Sequence, residues 1–70
     1  MKDAYTAVIK NHDPWWIGWI EEVPGVNCQE RSKAELIESL RETLREALAY
    51  NRQEALNAAG EGFEETSISL

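Results

Sequence analysis

The sequence predicts an α+β domain in which three strands, one long helix and a fourth strand follow one another, β-β-β-α-β. Three observations support this class. Apolar residues recur at three- and four-residue steps across residues 32–60, aromatic and β-branched residues cluster at residues 5–10 and 15–23, and apolar and polar residues alternate at residues 63–70. A chain of 70 residues is close to the lower size limit for independent folding, so we expect one domain over residues 1–70.

The predicted helix begins at a capping box and ends at a glycine. The Ser32 hydroxyl can accept a hydrogen bond from the N–H of Glu35, whose carboxylate can reach back to the N–H of Ser32. Gly60 can adopt the left-handed conformation that ends a helix. Between these residues, an apolar stripe roughly 120° wide is expected to face a core. It consists of Leu36, Ile37, Leu40, Leu44, Ala47, Leu48, Ala55 and Ala58.

The first three strands are predicted at residues 5–10, 15–23 and 26–31, with turns at residues 11–14 and at Pro24 and Gly25. The second strand is apolar on both sides. Trp15, Ile17 and Trp19 share one face, while Trp16, Gly18 and Ile20 share the other. Because a single helix covers one face of a small sheet, we expect the second face to be exposed or covered by another chain.

Tight turns make the first three strands an antiparallel meander, and the helix would then return the chain to a fourth strand at residues 63–70. A right-handed crossover places this strand parallel to the first strand and beside it. The expected architecture is therefore a four-stranded mixed sheet of order 3-2-1-4 with the helix on one face.

The predicted helix is longer than its sheet. It spans roughly 40 Å, whereas a strand of seven residues spans roughly 23 Å. Leu56 lies off the main apolar stripe, in the overhanging part. The overhang and the second apolar face predict a homo-oligomer, a dimer or a tetramer. The alternative is a helix that bends or frays after Tyr50.

The charge and the single cysteine restrict the partners and the compartment. Seven basic and 13 acidic residues give 7 − 13 = −6, so phosphate repulsion disfavours nucleic acid as a direct ligand. A basic protein partner fits this sign, although solubility alone also explains it. Cys28 has no partner for an internal disulfide, and no signal region or apolar run of about 20 residues is present. We expect a soluble cytoplasmic protein that does not interact with membranes.

The sequence contains no recognisable catalytic motif, and we predict no enzyme activity, no cofactor and no metal. His12 and Asp13 could be half of a metal site, but two neighbours rarely bind a metal alone, so a turn is the favoured interpretation. Cys28 would need a base and a lowered pKa to act as a nucleophile. Acidic residues from different strands could converge as metal ligands, which keeps a small metal-dependent nuclease open as an alternative.

Several segments together resemble the HicB-type antitoxin family. The resemblance is carried by residues 5–9, by residues 16–26 with their Val23-Pro24-Gly25 turn, by residues 27–29 and by the helix start at residues 32–44. It implies a partial ribonuclease H-like fold. It also implies a small basic messenger-RNA-cleaving toxin of the HicA type as partner, which the antitoxin would bind and obstruct. Family members often carry a C-terminal DNA-binding domain, and because this sequence ends after the fourth predicted strand, direct DNA binding is not expected.

An antitoxin would act through an interface and not through catalytic residues. We expect Trp16, Trp19, Glu21 and Glu22, on or next to the second strand, and Leu56 on the helix to lie at or near a partner or oligomer interface. A tryptophan platform for stacking nucleic-acid bases is a weaker interpretation, because Lys10 is the only basic residue nearby. An oligomeric scaffold domain with a different partner remains the alternative to an antitoxin.

Overall fold

The computed structural model describes residues 4–70, which form three strands and one helix. The elements are β1 (Ala7–His12), β2 (Trp15–Ile20), β3 (Asn27–Glu30) and α1 (Lys33–Ala59). The strands form an antiparallel sheet in the order β1-β2-β3, and α1 packs on one face of it. The α+β class and the single long helix are therefore as predicted.

The predicted four-stranded sheet of order 3-2-1-4 is wrong. Residues 63–70 form no strand, and the side chains of Ile68 and Leu70 are almost entirely exposed. An alternating pattern determines which side chains share a side of an extended segment, but a strand also requires a neighbouring backbone to bond with. Residues 63–70 have no such neighbour here, so the described sheet has three strands and is not mixed.

The strand boundaries differ from the prediction by a few residues. Pairing of β1 with β2 continues to the pair His12 and Trp15, so only Asp13 and Pro14, joined by a cis peptide bond, connect the two strands. β2 ends at Ile20, whose N–H donates to the carbonyl of Val26 at 3.1 Å. The residues between β2 and β3 therefore form a turn, where the sequence had suggested a longer second strand.

Local signals at both ends define the helix. The Ser32 hydroxyl accepts from the N–H of Glu35 at 3.1 Å, and Gly60, at φ 70°, donates its N–H to the carbonyl of Leu56. Helical structure runs on to Ala59, so α1 does not fray after Tyr50. In the described part of the chain, no helix combines the length and the apolar surface that a membrane crossing requires.

The core lies where α1 crosses β2. Leu36 and Leu40 are fully buried, and they pack with Ile20, Val23 and Val26. A Cβ atom at Gly18 would lie 3.1 Å from Leu40 Cδ1, 3.2 Å from Leu36 Cδ2 and 2.9 Å from the carbonyl oxygen of Val8. The missing side chain at Gly18 therefore lets the helix approach the sheet closely, and it identifies the face with Trp16, Gly18 and Ile20 as the helix side.

Leu40→Ala tests the assignment of the helix face. Because Leu40 is 2% exposed, we expect its truncation to lower the free energy of unfolding by about 2–5 kcal/mol. The matched control is Ile37→Ala, which removes a similar side chain three residues earlier at a position that is 37% exposed. Chemical denaturation followed by circular dichroism measures both losses, and equal losses would contradict the assignment.

Gly18→Ala tests the close approach of helix and sheet. The structure has no space for the added methyl group, so we expect the substitution to lower the free energy of unfolding by about 1–3 kcal/mol. Because Leu40 forms part of the obstruction, the same substitution should cost less in a Leu40→Ala background than in the natural sequence. A double-mutant cycle by urea denaturation measures the difference, and strictly additive losses would show that the two residues do not meet.

Candidate interaction surface

The face of the sheet opposite α1 is not covered by any described residue range, and we call it the open face. The register places Val8 beside Trp19 and Asn27, and Lys10 beside Ile17 and Gln29. Side chains paired across neighbouring strands lie on the same side of a sheet. The open face therefore carries an apolar centre on β2, formed by Trp15, Ile17 and Trp19. The flanking residues on β1 and β3 are mostly polar: Val8, Lys10, His12, Asn27 and Gln29.

Trp19 is the most accessible large apolar residue of this face, with 42% of its surface exposed. Trp15 and Ile17 are half-buried. The guanidinium carbon of Arg31 lies 4.7 Å from the centre of the Trp15 ring, a cation–π contact that covers part of this ring. The open face thus has a covered end at Trp15 and an accessible end at Trp19.

Trp16 lies on the other side of the sheet. It is half-buried and packs against the core. Its β3 neighbour Glu30 accepts a hydrogen bond from the Ser39 hydroxyl at 2.6 Å, which ties the sheet to the start of α1. The structure therefore does not bring Trp16 and Trp19 together, and one contact patch on the open face can include Trp19 but not Trp16.

The two predicted acidic positions follow β2 and have different surroundings. Glu21 is exposed, and its N–H donates to the carbonyl of Thr6 at 2.9 Å. Glu22 is half-buried, and its carboxylate accepts the N–H of Thr6 at 2.8 Å. Glu22 thus helps to fix the chain before β1, which leaves Glu21 as the more accessible carboxylate near Trp19.

Leu56, the remaining predicted interface residue, lies on the overhanging part of α1. The buried positions of the helix are Leu36 and Leu40, and Leu44, Ala47 and Leu48 are the last helix residues packed against the core. Beyond them Leu56 is half-buried, while Tyr50 is 65% exposed. A hydrogen bond with Glu54 raises the pKa of Tyr50. The overhang is therefore confirmed, and it carries both apolar and polar surface.

Charges are distributed unevenly over the described residues. The open face and its rim contain Lys10 and Arg31, Glu21 follows at the end near Trp19, and other acidic residues lie on the helix side of the molecule. A shallow groove beside the start of α1 is lined by four acidic residues, Glu30, Glu35, Glu38 and Glu42.

Within residues 4–70, no three His, Cys, Asp or Glu side chains are grouped so that they could hold a metal ion. The side chain of Cys28 contacts the Thr43 hydroxyl, at 3.4 Å from sulfur to oxygen.

A second surface feature is an apolar groove between β1 and α1, which we call the β1 groove. Its volume is about 360 Å³. Tyr5 and Ala7 line it from the strand side, and Ile37, Leu40 and Leu44 line it from the helix side. It lies beside the start of β1, and the outer edge of this strand pairs with no other strand in residues 4–70. The pattern of the sequence did not indicate this groove, because its walls come from distant segments.

Neither a protein-family model, nor a curated protein, nor a solved structure matches this chain. The surfaces of the molecule itself therefore indicate what it can bind.

Trp16→Ala and Trp19→Ala should have different effects, because the two rings lie on opposite faces. We expect Trp16→Ala to lower the free energy of unfolding by about 2–4 kcal/mol through lost core packing. Trp19→Ala should lower it by about 1 kcal/mol or less, because much of the ring is already in water. Thermal and urea denaturation of both variants measure the difference. A larger loss for Trp19→Ala would mean that the faces are reversed.

Proposed function

We propose that this chain is a protein-binding module that acts as a HicB-type antitoxin. It would bind a small basic, messenger-RNA-cleaving toxin of the HicA type and obstruct its active site. The observation that carries the proposal is the open face, on which Trp15, Ile17 and Trp19 form an apolar centre that the helix does not cover. Exposed aromatic side chains of this kind are typical anchors of protein interfaces.

The net charge, the segments that resemble the family and an exposed acid beside Trp19 further support this proposal. The formal charge of −6 would steer a basic protein toward this chain. The Val23-Pro24-Gly25 turn and the Ser32 cap, which carry the resemblance to the family, lie at the β2–β3 connection and at the start of α1. Glu21 is an exposed acid at the accessible end of the open face. We therefore place the proposed toxin contact over Trp19 and Glu21.

Lys10 and Arg31 determine how a basic toxin could bind. Both are on or beside the open face, where they would repel basic residues of the toxin unless solvent or acidic residues lay opposite them. Arg31 is already held over Trp15, at the end of the face away from Trp19. We therefore expect an apolar contact centred on Trp19, in which basic residues of the toxin pair with Glu21 and with acidic residues around the contact. The proposed compartment is the cytoplasm, which keeps a lone cysteine such as Cys28 reduced.

A second candidate function is an oligomeric scaffold with a different partner. The overhanging half of α1 and the exposed apolar residues after it, Phe63, Ile68 and Leu70, favour a homo-oligomer in either case. The two functions differ in whether a small basic protein accompanies the chain. The nuclease alternative has no supporting cluster of ligands in residues 4–70.

The first test is capture of the tagged protein from its native host, with washes at low and then high salt. An antitoxin should retain a basic protein of toxin size in stoichiometric amount, and salt should loosen it because charge contributes to the contact. Co-expression should then suppress messenger-RNA cleavage by that protein. Recovery of only the chain itself, as a salt-resistant oligomer, would favour the scaffold.

Trp19→Ala should weaken toxin binding by about 30-fold, as expected for truncation of an interface anchor. Glu21→Lys should also weaken toxin binding, and this loss of affinity should be larger at low salt than at high salt. The matched control is Glu42→Lys, which makes the same charge change at an exposed helix position remote from the open face. Titration calorimetry measures all three affinities, and unchanged binding for Trp19→Ala and Glu21→Lys would exclude this contact.

A further inference from the structure

The chain is elongated, and a single copy leaves apolar side chains exposed to solvent. The described residues extend 51 × 24 × 15 Å, and the radius of gyration is 15.1 Å. A compact domain of this length would have a radius of gyration of about 11 Å. The difference arises because the last part of α1 extends beyond the small core, with residues 60–70 following it and Glu65 lying alongside Arg52. These parts expose Tyr50, Phe63, Ile68 and Leu70.

The unpaired edge of β1, with the groove beside it, is complementary to the segment of residues 63–70. The outer edge of β1 offers backbone N–H and C=O groups to a further strand, and the apolar β1 groove lies beside the start of this strand. Residues 63–70 alternate between apolar and polar side chains, with Thr66, Ile68 and Leu70 on one side and Glu65, Ser67 and Ser69 on the other. An extended segment of this pattern can bond with a strand edge while its apolar side chains fill a groove.

Within one chain the two features do not meet. The Arg52 side chain holds Glu65 at 3.4 Å, alongside the helix overhang. Arg52 follows Arg41, which lines the β1 groove, by 52 − 41 = 11 residues, or about 16 Å along the helix. Five further extended residues cover about 17 Å. With Glu65 beside Arg52, residues 66–70 of the same chain can approach the near end of the groove but do not run along β1.

Area also favours a contact larger than the open face. Three strands of up to six residues present roughly 300 Å² on one face, whereas a stable interface buries about 800 Å² on each partner. Two copies that met only through their open faces would fall short, and Lys10 and Arg31 of both copies would be brought together. A stable pair therefore needs the overhang and residues 63–70 as well.

We propose that residues 63–70 of one copy bind along the outer edge of β1 of a second copy, with Ile68 and Leu70 in its β1 groove. A reciprocal exchange lets each overhanging helix reach across to the partner and leaves the two open faces available. Such an exchange rests on the homo-oligomer part of the proposed function but does not require a toxin. It can therefore be tested with the purified chain alone, and a negative result would leave the proposed toxin contact unaffected.

The test compares two double variants of the full chain by sedimentation equilibrium. Ile68→Asp with Leu70→Asp should raise the dissociation constant of the dimer by about tenfold or more, because two apolar groups leave the groove. Ser67→Asp with Ser69→Asp adds the same charge on the other side of the segment and should change it less than about threefold. Circular dichroism should show an unchanged fold in both variants, since all four side chains are exposed in one copy.

Isotope-filtered NMR identifies the contact directly. A refolded mixture of ¹⁵N-labelled and ¹³C-labelled copies should give nuclear Overhauser effects between β1 amides of one copy and the Ile68 and Leu70 methyl groups of the other. A monomer at all concentrations would overturn the proposal. Equal weakening by both double variants would also overturn it, as would a dimer whose contacts between copies lie only on the open face.

Discussion

The fold depends on the close approach of α1 to β2 at Gly18. Leu36 and Leu40 pack where any side chain on Gly18 would lie, and this contact brings the helix onto Ile20, Val23 and Val26. In a chain this small, few residues can be fully buried, so most of the apolar stabilisation is concentrated at this single crossing. A side chain at residue 18 would separate the two layers along their whole contact.

The same contact creates the open face. Because side chains alternate along a strand, fixing Gly18 toward the helix places Trp16 and Ile20 on the helix side and turns Trp19 away from it. One helix cannot cover both sides of a sheet. The apolar surface on the open face is therefore a direct consequence of how the core is built, and it is the main support for a protein-binding function.

The length of α1 separates the roles of its two halves. The first half, up to Leu48, packs on the sheet, while the second half continues into solvent as a regular helix that Gly60 ends. A helix segment with few tertiary contacts, here the Arg52–Glu65 ion pair, is marginal in water, and its stability comes from the part already packed. The overhang is therefore surface that a second chain can stabilise, and it leads directly into the exposed residues 63–70.

The sequence by itself determined the features that depend on neighbouring residues. The cap at Ser32, the end of the helix at Gly60 and the division of β2 into two faces follow from local geometry, and all three were predicted. Trp19 was recognised as a candidate contact for the same reason. The fourth strand was not predictable from alternation in residues 63–70, because pairing depends on whether another backbone lies within hydrogen-bonding distance.

Only the tertiary structure decided which distant groups meet. It brought Arg31 onto Trp15, and it tied the Glu22 carboxylate to Thr6. It also formed the β1 groove from a strand edge and a helix that are separated by more than 20 residues along the chain. Contacts of this kind depend on how the layers are placed in space, and periodicity within one segment contains no information about that placement.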